Sequence, residues 1–170
     1  AVRRDTHIEC LPLPDNLVKR SYSDTLPSVS ATWEFVENMQ LRVAYSETVN
    51  RPSLLEITGS TIRNPEDQNL YRGNVFLEPA DVENLDLRWE WYFGAADEMS
   101  LGLFTKDFTN PIERTLLFAV ELQSTLINTP GATNLGAELE FRRDLGWIAQ
   151  SLAPLRLQLN YTYVDSEISV

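Results

Sequence analysis

The sequence alternates between apolar and polar residues over six long segments, the pattern expected of β-strands with two unlike faces. In the first segment, Val29, Ala31 and Trp33 alternate with serine, threonine and glutamate. Almost no stretch shows a helical period. The predicted strands are Leu26–Val36, Met39–Val49, Glu83–Phe93, Met99–Phe108, Thr133–Leu145 and Leu155–Ile168.

The connections between these segments alternate in length. Short turns are predicted at 37–38, 94–98 and 146–154, and long connections at about 50–80 and 109–132, where residues 112–127 suggest further strand. Outer-membrane barrels combine short turns at one end with longer loops at the other. We therefore predict an all-β, antiparallel up-and-down meander that forms a section of a large transmembrane β-barrel.

Domain boundaries follow from the same pattern. Residues 1–25, with their Leu-Pro-Leu-Pro stretch, are predicted to be the tail of another external loop. Residues 26–170 are predicted to be a barrel section of about six strands.

Aromatic residues gather near the short turns, where amphipathic rings of a barrel settle at the membrane interface. The alternative is a soluble core rich in tryptophan. The residues concerned are Trp33, Phe35, Trp91, Phe93, Phe141 and Trp147.

The composition of the chain argues against several kinds of binding and catalytic site. The formal net charge of −11 disfavours nonspecific binding to nucleic acid, which depends on dense lysine and arginine. Cys10 and His7 are the only residues of their types, so neither an internal disulfide nor a zinc site built from several thiolates can form. We predict no enzyme activity, no catalytic residue, no metal site and no cofactor. No segment approaches the ~18 apolar residues that a transmembrane helix requires.

Several segments resemble, in their order and spacing over residues 22–168, the barrel strands of TonB-dependent receptors. The segments are 26–28 (LPS), 42–46 (RVAYS), 50–53 (NRPS), 72–79 (RGNVFLEP), 84–93 (NLDLRWEWYF), 103–113 (LFTKDFTNPIE), 136–141 (GAELEF) and 160–166 (NYTYVDS).

That resemblance implies a bacterial outer-membrane barrel of about 22 strands around an N-terminal plug. Such a receptor imports a scarce nutrient, a ferric siderophore or another small ligand, with energy delivered through TonB. The implied partners are the protein's own plug, the TonB complex acting through that plug, the lipid bilayer and an unidentified transported ligand. The sequence contains no plug pattern, so we expect the chain to be a section of the C-terminal part of the barrel wall.

Two groups of candidate site residues follow. The first consists of charged residues expected to face the lumen and the plug: Glu34, Arg42, Arg88, Glu90, Glu138 and Glu140. The second lies in the long connection over residues 53–79, where Arg63, Tyr71 and Arg72 are predicted to contact the ligand.

A soluble β-sandwich is the alternative, either a carbohydrate-binding module or a glycoside hydrolase. Glu138 and Glu140 share a strand face at roughly 7 Å, within the carboxylate spacing of inverting glycosidases. The same spacing arises on any strand with polar residues at alternate positions.

Overall fold

The structure, a computed structural model, describes residues 2–10, 18–63, 69–118 and 122–169. These residues form β-strands joined by turns and two single 3₁₀ turns, Leu145–Trp147 and Gln150–Leu152. The strands are β1 Val2–Cys10, β2 Val18–Leu26, β3 Ser28–Val36, β4 Met39–Asn50, β5 Thr61–Arg63, β6 Leu70–Arg72, β7 Ala80–Tyr92, β8 Glu98–Thr109, β9 Ile112–Phe118, β10 Leu122–Asn128, β11 Gly131–Asp144 and β12 Arg156–Ser169. No helix within these ranges is long and apolar enough to cross a bilayer.

Six strands form one antiparallel sheet in the order β3-β4-β7-β8-β11-β12. Each strand pairs with the next of the six along the chain, so the predicted meander is confirmed, and all six predicted strands are present. A sandwich would instead pack two such sheets face to face.

The short turns lie together at one end of this sheet. At the first turn Asn38 adopts a φ of 63°, which asparagine tolerates better than most residues, and its carbonyl accepts a bond of 2.8 Å from the Tyr92 amide. At the second turn the Phe93 amide donates to the Asp97 carbonyl over 3.2 Å. The third turn contains both 3₁₀ turns.

Prolines mark the opposite end of the sheet. Pro52, Pro79, Pro111 and Pro130 stand where the two long connections leave the six strands and return to them. Because proline has no amide hydrogen to donate, the ladder of the main sheet does not continue past these positions.

The two long connections are not open loops. Their strands form a second sheet in the order β5-β6-β10-β9, in which β6 and β10 pair in parallel. The predicted extended segment 112–127 is thus split into β9 and β10, which pair antiparallel with Leu122 opposite Phe118. The described parts of residues 51–79 and 110–130 are called the loop layer below. Its core consists of Ile57, Leu77 and Leu126.

Residues 2–10 and 18–26, predicted as a loop tail, form the hairpin β1–β2, with Val2 opposite Leu26. Strand β2 continues across Pro27 into β3, and the Arg20 guanidinium donates to the carbonyls of Val75 and Leu77 in the loop layer. A hairpin is compatible with an external loop, so that role stays a prediction.

The register sorts side chains of the six-stranded sheet to two faces, because residues directly opposite each other point the same way and neighbours along a strand alternate. The apolar face includes the row Trp33, Leu41, Trp89, Leu101, Leu139 and Tyr161. The polar face includes the row Glu34, Gln40, Glu90, Ser100, Glu140 and Asn160.

Because Gly73 has no side chain, the backbone of residues 55–58 can pack closely against it. A Cβ atom at this position would lie 2.8 Å from the Leu55 carbonyl oxygen and closer still to that of Thr58. Both obstacles are backbone atoms, so a side chain can be accommodated only if the 55–58 turn moves. By contrast, a Cβ at Gly59 would meet Val75 Cγ1 at 3.7 Å, an ordinary contact.

We expect Gly73→Ala to destabilise the loop layer by about 1–3 kcal/mol, the usual range for overpacking, while Gly59→Ala changes stability little. Hydrogen exchange of residues 53–63 and 69–79 in the full-length protein measures the difference. Equal protection in the two variants would contradict this account of Gly73.

Candidate functional site

A buried carboxylate lies at the centre of the polar face. Glu90 on β7 is only 7% exposed. Its Oε2 atom accepts hydrogen bonds from the Gln40 side-chain amide and, over 3.1 Å, from the Tyr92 hydroxyl. The carboxylate is therefore solvated by neighbouring side chains instead of water.

Arg88 joins this carboxylate to the next strands. Its Nε atom lies 2.9 Å from Glu90 Oε1, and one terminal nitrogen lies 2.8 Å from Glu140 Oε2. The same nitrogen donates to Ser100 Oγ over 2.9 Å. Arg42 adds a second cation, 3.5 Å from Glu90 Oε2. These contacts extend across β4, β7, β8 and β11, and we call them the polar network.

All six residues predicted to face the lumen lie on the polar face. Glu34, Glu90 and Glu140 lie in one row of the register, and Arg42, Arg88 and Glu138 lie in the adjacent row. The prediction did not include Gln40, Tyr92 and Ser100, which complete the polar network. Each of them lies an even number of residues from Arg42, Glu90 or Lys106 on its own strand, so the alternation already assigned it to the polar face.

The polar face carries excess negative charge. Within the described ranges, four arginines of this face are paired with carboxylates of the same face, and Lys106 adds one further cation; the arginines are Arg42, Arg88, Arg142 and Arg156. Other carboxylates of this face have no ion pair among the described residues, namely Glu34, Asp86 and Glu138.

A depression of about 110 Å³ lies beside the polar network, lined in part by Arg42, Asp86 and Glu138. Next to it the distal part of the Phe104 ring lies against Gly136 on the neighbouring strand, where a Cβ atom would come within 2.2 Å of the ring. Glycine at this position therefore permits the aromatic ring to cover the backbone of β11, a known way of stabilising glycine in a sheet.

The loop layer separates the three predicted ligand contacts. Arg63 and Arg72 are exposed and share one face of the small sheet, since Thr61 pairs with Arg72 and Arg63 with Leu70. Tyr71 points to the other face and packs against the core of the loop layer.

The Tyr71 hydroxyl is buried and has no hydrogen-bond partner among the described residues. Burial, and to a smaller extent the Glu56 carboxylate, raise the pKa of this phenol, whereas the Arg114 guanidinium lowers it in part. The guanidinium carbon of Arg114 lies 5.9 Å from the ring centroid. The ring is thus held as a neutral phenol inside the loop layer.

Side-chain amides fasten the two long connections to each other. Asn74 Nδ2 donates to the Leu126 carbonyl over 2.9 Å. Asn128 exchanges hydrogen bonds with the backbone of Glu78, accepting over 2.8 Å and donating over 2.9 Å. The sequence analysis did not predict that the two connections bind each other, because the residue pattern of one connection does not identify the other as its partner.

Among the described residues, no group of three or more histidine, cysteine, aspartate or glutamate residues is arranged to hold a metal ion.

Removing the Arg88 cation tests the polar network. Arg88→Met leaves Glu140 without a cation and Glu90 with only the more distant Arg42. Because Arg88 is a third exposed, we expect a loss of about 1–3 kcal/mol, less than for a fully buried pair. The matched control, Arg156→Met, breaks a half-exposed pair with Asp144 and should cost much less, because solvent screens that pair. Denaturant unfolding measures both, and equal losses would refute a special role for the network.

Solved structures share this fold. A siderophore receptor, PirA of Pseudomonas aeruginosa, aligns with a TM-score of 0.70 at 16% identity, over 89% of this chain and 30% of that one. The Serratia marcescens hemophore receptor HasR, a double mutant in complex with its hemophore HasA and heme, aligns with a TM-score of 0.65 at 14% identity, over 96% of this chain and 29% of HasR. A mutant of the ferric enterobactin receptor PfeA of P. aeruginosa aligns with a TM-score of 0.60 at 19% identity, over 84% and 22%.

The chain therefore spans less than a third of each of these receptors. No curated protein sequence matches it. A family model described as "TonB dependent receptor-like, beta-barrel" matches residues 4–169, nearly the whole sequence. Together with the six-stranded meander, this match shows that the chain belongs to the β-barrel family of TonB-dependent receptors.

Proposed function

We propose that the chain forms part of the wall of a receptor in the bacterial outer membrane. That receptor imports a scarce nutrient, a ferric siderophore or another small ligand, with energy delivered through TonB. The transport belongs to the whole receptor, and this chain contributes barrel wall and external loops. We assign no catalytic residue to it.

The observation that carries the proposal is the reversed exposure of the two sheet faces. On the apolar face Trp33 is 66% exposed and Leu135 is 60% exposed, whereas on the polar face Glu90 and Ser100 are only 7% and 5% exposed. A sheet in water would bury its apolar face and solvate its charges. Lipid around the apolar face and a polar interior explain the reversal.

The height of the apolar face fits a bilayer. At its upper end is a row that contains Glu47, Glu83, Asp107 and Thr133, and at its lower end are Phe141 and Arg143. About ten residue steps separate Thr133 from Arg143, or ~33 Å along the strand at the usual rise. A strand tilt of about 40° reduces this distance to ~25 Å, the height of the apolar band of an outer-membrane barrel.

Aromatic rings cluster at the short-turn end. Ring centroids lie 4.7 Å apart for Trp91 and Phe93 and 6.2 Å apart for Phe93 and Phe141. Trp33 and Phe35 form a further pair at 5.7 Å. This arrangement supports our proposal that these rings belong to an interfacial girdle at the periplasmic boundary.

The polar face, in this proposal, lines the lumen and contacts the receptor's own plug. Three carboxylates of this face, Glu34, Asp86 and Glu138, have no ion pair within the described part of the chain. A plug that presents arginine or lysine there would compensate them, as buried charges require. Arg42, Arg88, Glu90 and Glu140 would form the pre-assembled part of that interface.

For the ligand, we propose Arg63 and Arg72 as contacts, because the register points these exposed guanidinium groups to one face of the small sheet. Guanidinium groups recognise anionic oxygen atoms well. Tyr71 remains a proposed contact of a different kind: since its hydroxyl is buried, a ligand would reach it only if the core of the loop layer opened.

An arginine placed on either face tests the membrane proposal. Tyr163 and Thr162 are neighbours on β12 that point to the apolar and the polar face, respectively. Tyr163→Arg should destabilise the folded receptor in lipid vesicles by about 2–4 kcal/mol, because it places a charge near the bilayer centre. Thr162→Arg should change stability by less than about 1 kcal/mol. The proposal fails if both variants lose the same stability.

The ligand contacts are tested with Arg63 and Arg72 both changed to glutamine. We expect the full-length receptor to bind an anionic ferric siderophore at least about tenfold more weakly, as is typical when charged hydrogen bonds are lost. Arg114→Gln, on the opposite face of the same small sheet, should bind normally. Tryptophan fluorescence quenching with ferric enterobactin and with heme measures the affinities. If the double variant binds both probes as the wild type does, these arginines are not contacts.

A further inference from the structure

The apolar face of the six-stranded sheet carries a single cation among its described positions, Arg143 near the end of β11. The acidic residues of this face lie toward the opposite end, next to the loop layer. They are Glu47, Asp81, Glu83, Asp107, Asp165 and Glu167. On the face proposed to meet lipid, the negative side chains therefore lie toward the loop layer, and the positive one lies at the short-turn end.

Arg143 is held by aromatic rings. Its guanidinium carbon lies 4.2 Å from the centroid of the Trp147 ring and 5.5 Å from that of Phe93. Its Nε atom is buried and donates no hydrogen bond among the described residues. Cation–π contact of this kind fixes the orientation of the guanidinium but leaves its charge without a counter-ion.

The carboxylates nearest in the chain are already engaged elsewhere. Asp144 pairs with Arg156 at 2.7 Å, and Glu98 pairs with Arg142 at 3.4 Å, both on the polar face. The Asp97 carboxylate accepts a bond of 2.8 Å from the Asp144 amide. No ion pair reaches Arg143 from any described residue.

The position of this unpaired cation indicates its ligand. Trp147, whose ring contacts the guanidinium, is 63% exposed, and the next residue, Ile148, is 57% exposed, so exposed apolar surface lies beside this cation. On the proposed function, this level is the boundary between hydrocarbon and headgroups. A ligand there must bring an anionic group that matches the guanidinium fork and an apolar part that covers the rings. A phospholipid has both, because its phosphate binds arginine in a bidentate manner and its acyl chains cover apolar surface.

We propose that Arg143, held between Phe93 and Trp147, binds the phosphate of a phospholipid in the leaflet at the short-turn end of the barrel. This inference rests on the proposed membrane position of the sheet. It goes beyond that proposal because it assigns a specific headgroup site to one residue.

The test uses the full-length receptor that carries this sequence, purified in detergent and titrated with phosphatidylglycerol, with bound lipid counted by native mass spectrometry. Arg143→Gln should bind the lipid roughly fivefold more weakly, the factor expected for one basic residue at an anionic surface. The matched control is Arg142→Gln, which changes the preceding residue on the opposite face and should bind as the wild type does.

Two further arms identify the ligand and the role of the rings. Trp147→Leu should also weaken binding although it leaves the charge intact, because the guanidinium is no longer held. Inorganic phosphate, added at the same concentration as the lipid, should not displace it, since it offers nothing to the apolar surround.

The site is overturned if Arg143→Gln retains the lipid as the wild type does, or if Arg142→Gln loses it equally. Displacement of the lipid by inorganic phosphate would also overturn it, in favour of a free anion. Failure of the proposed function gives a different result. In that case the wild-type receptor itself does not insert into vesicles of phosphatidylethanolamine and phosphatidylglycerol, whereas loss of the lipid site alone leaves insertion unchanged.

Discussion

A ladder of backbone hydrogen bonds, with one register shift between Glu34 and Val36 of β3, holds six strands together, and the rest of the structure depends on its register. A slip of one residue in any strand would move its leucines and tryptophans to the polar face and its charges to the apolar face. Such a slip would remove Arg88 from between Glu90 and Glu140. In a lipid environment, where an unpaired backbone group costs several kcal/mol, the ladder is itself a requirement.

The strands are connected differently at the two ends of the sheet. At the short-turn end, tight connections bring aromatic rings together and hold Arg143 among them. At the other end, prolines stop the main ladder, and the long connections build a small sheet of their own around Ile57, Leu77 and Leu126. The sheet thus combines a regular wall with long connections at one end, where sequence is generally freer to vary.

The loop layer places the candidate ligand residues on two different sides. Arg63, Tyr71 and Arg72 are close in the chain, yet the small sheet turns the two arginines to one side and the tyrosine to the other. The bonds of Asn74 and Asn128 connect the two long connections, so a ligand that displaced one would also disturb the other. The two long connections therefore form one structural unit.

The alternation of residue types by itself determined the six strands, their meander and the set of residues on each face. Successive side chains of a strand point to opposite faces, so a strand with apolar residues at every second position has one apolar and one polar face. The alternation therefore placed Glu34, Arg42 and Glu138 on one face before any contact was known. The pairing of β6 with β10 and the contact of Arg88 with Glu140 were decided only by the tertiary structure. The physical reason is that these contacts join residues some 50 positions apart, whose partners no local pattern specifies.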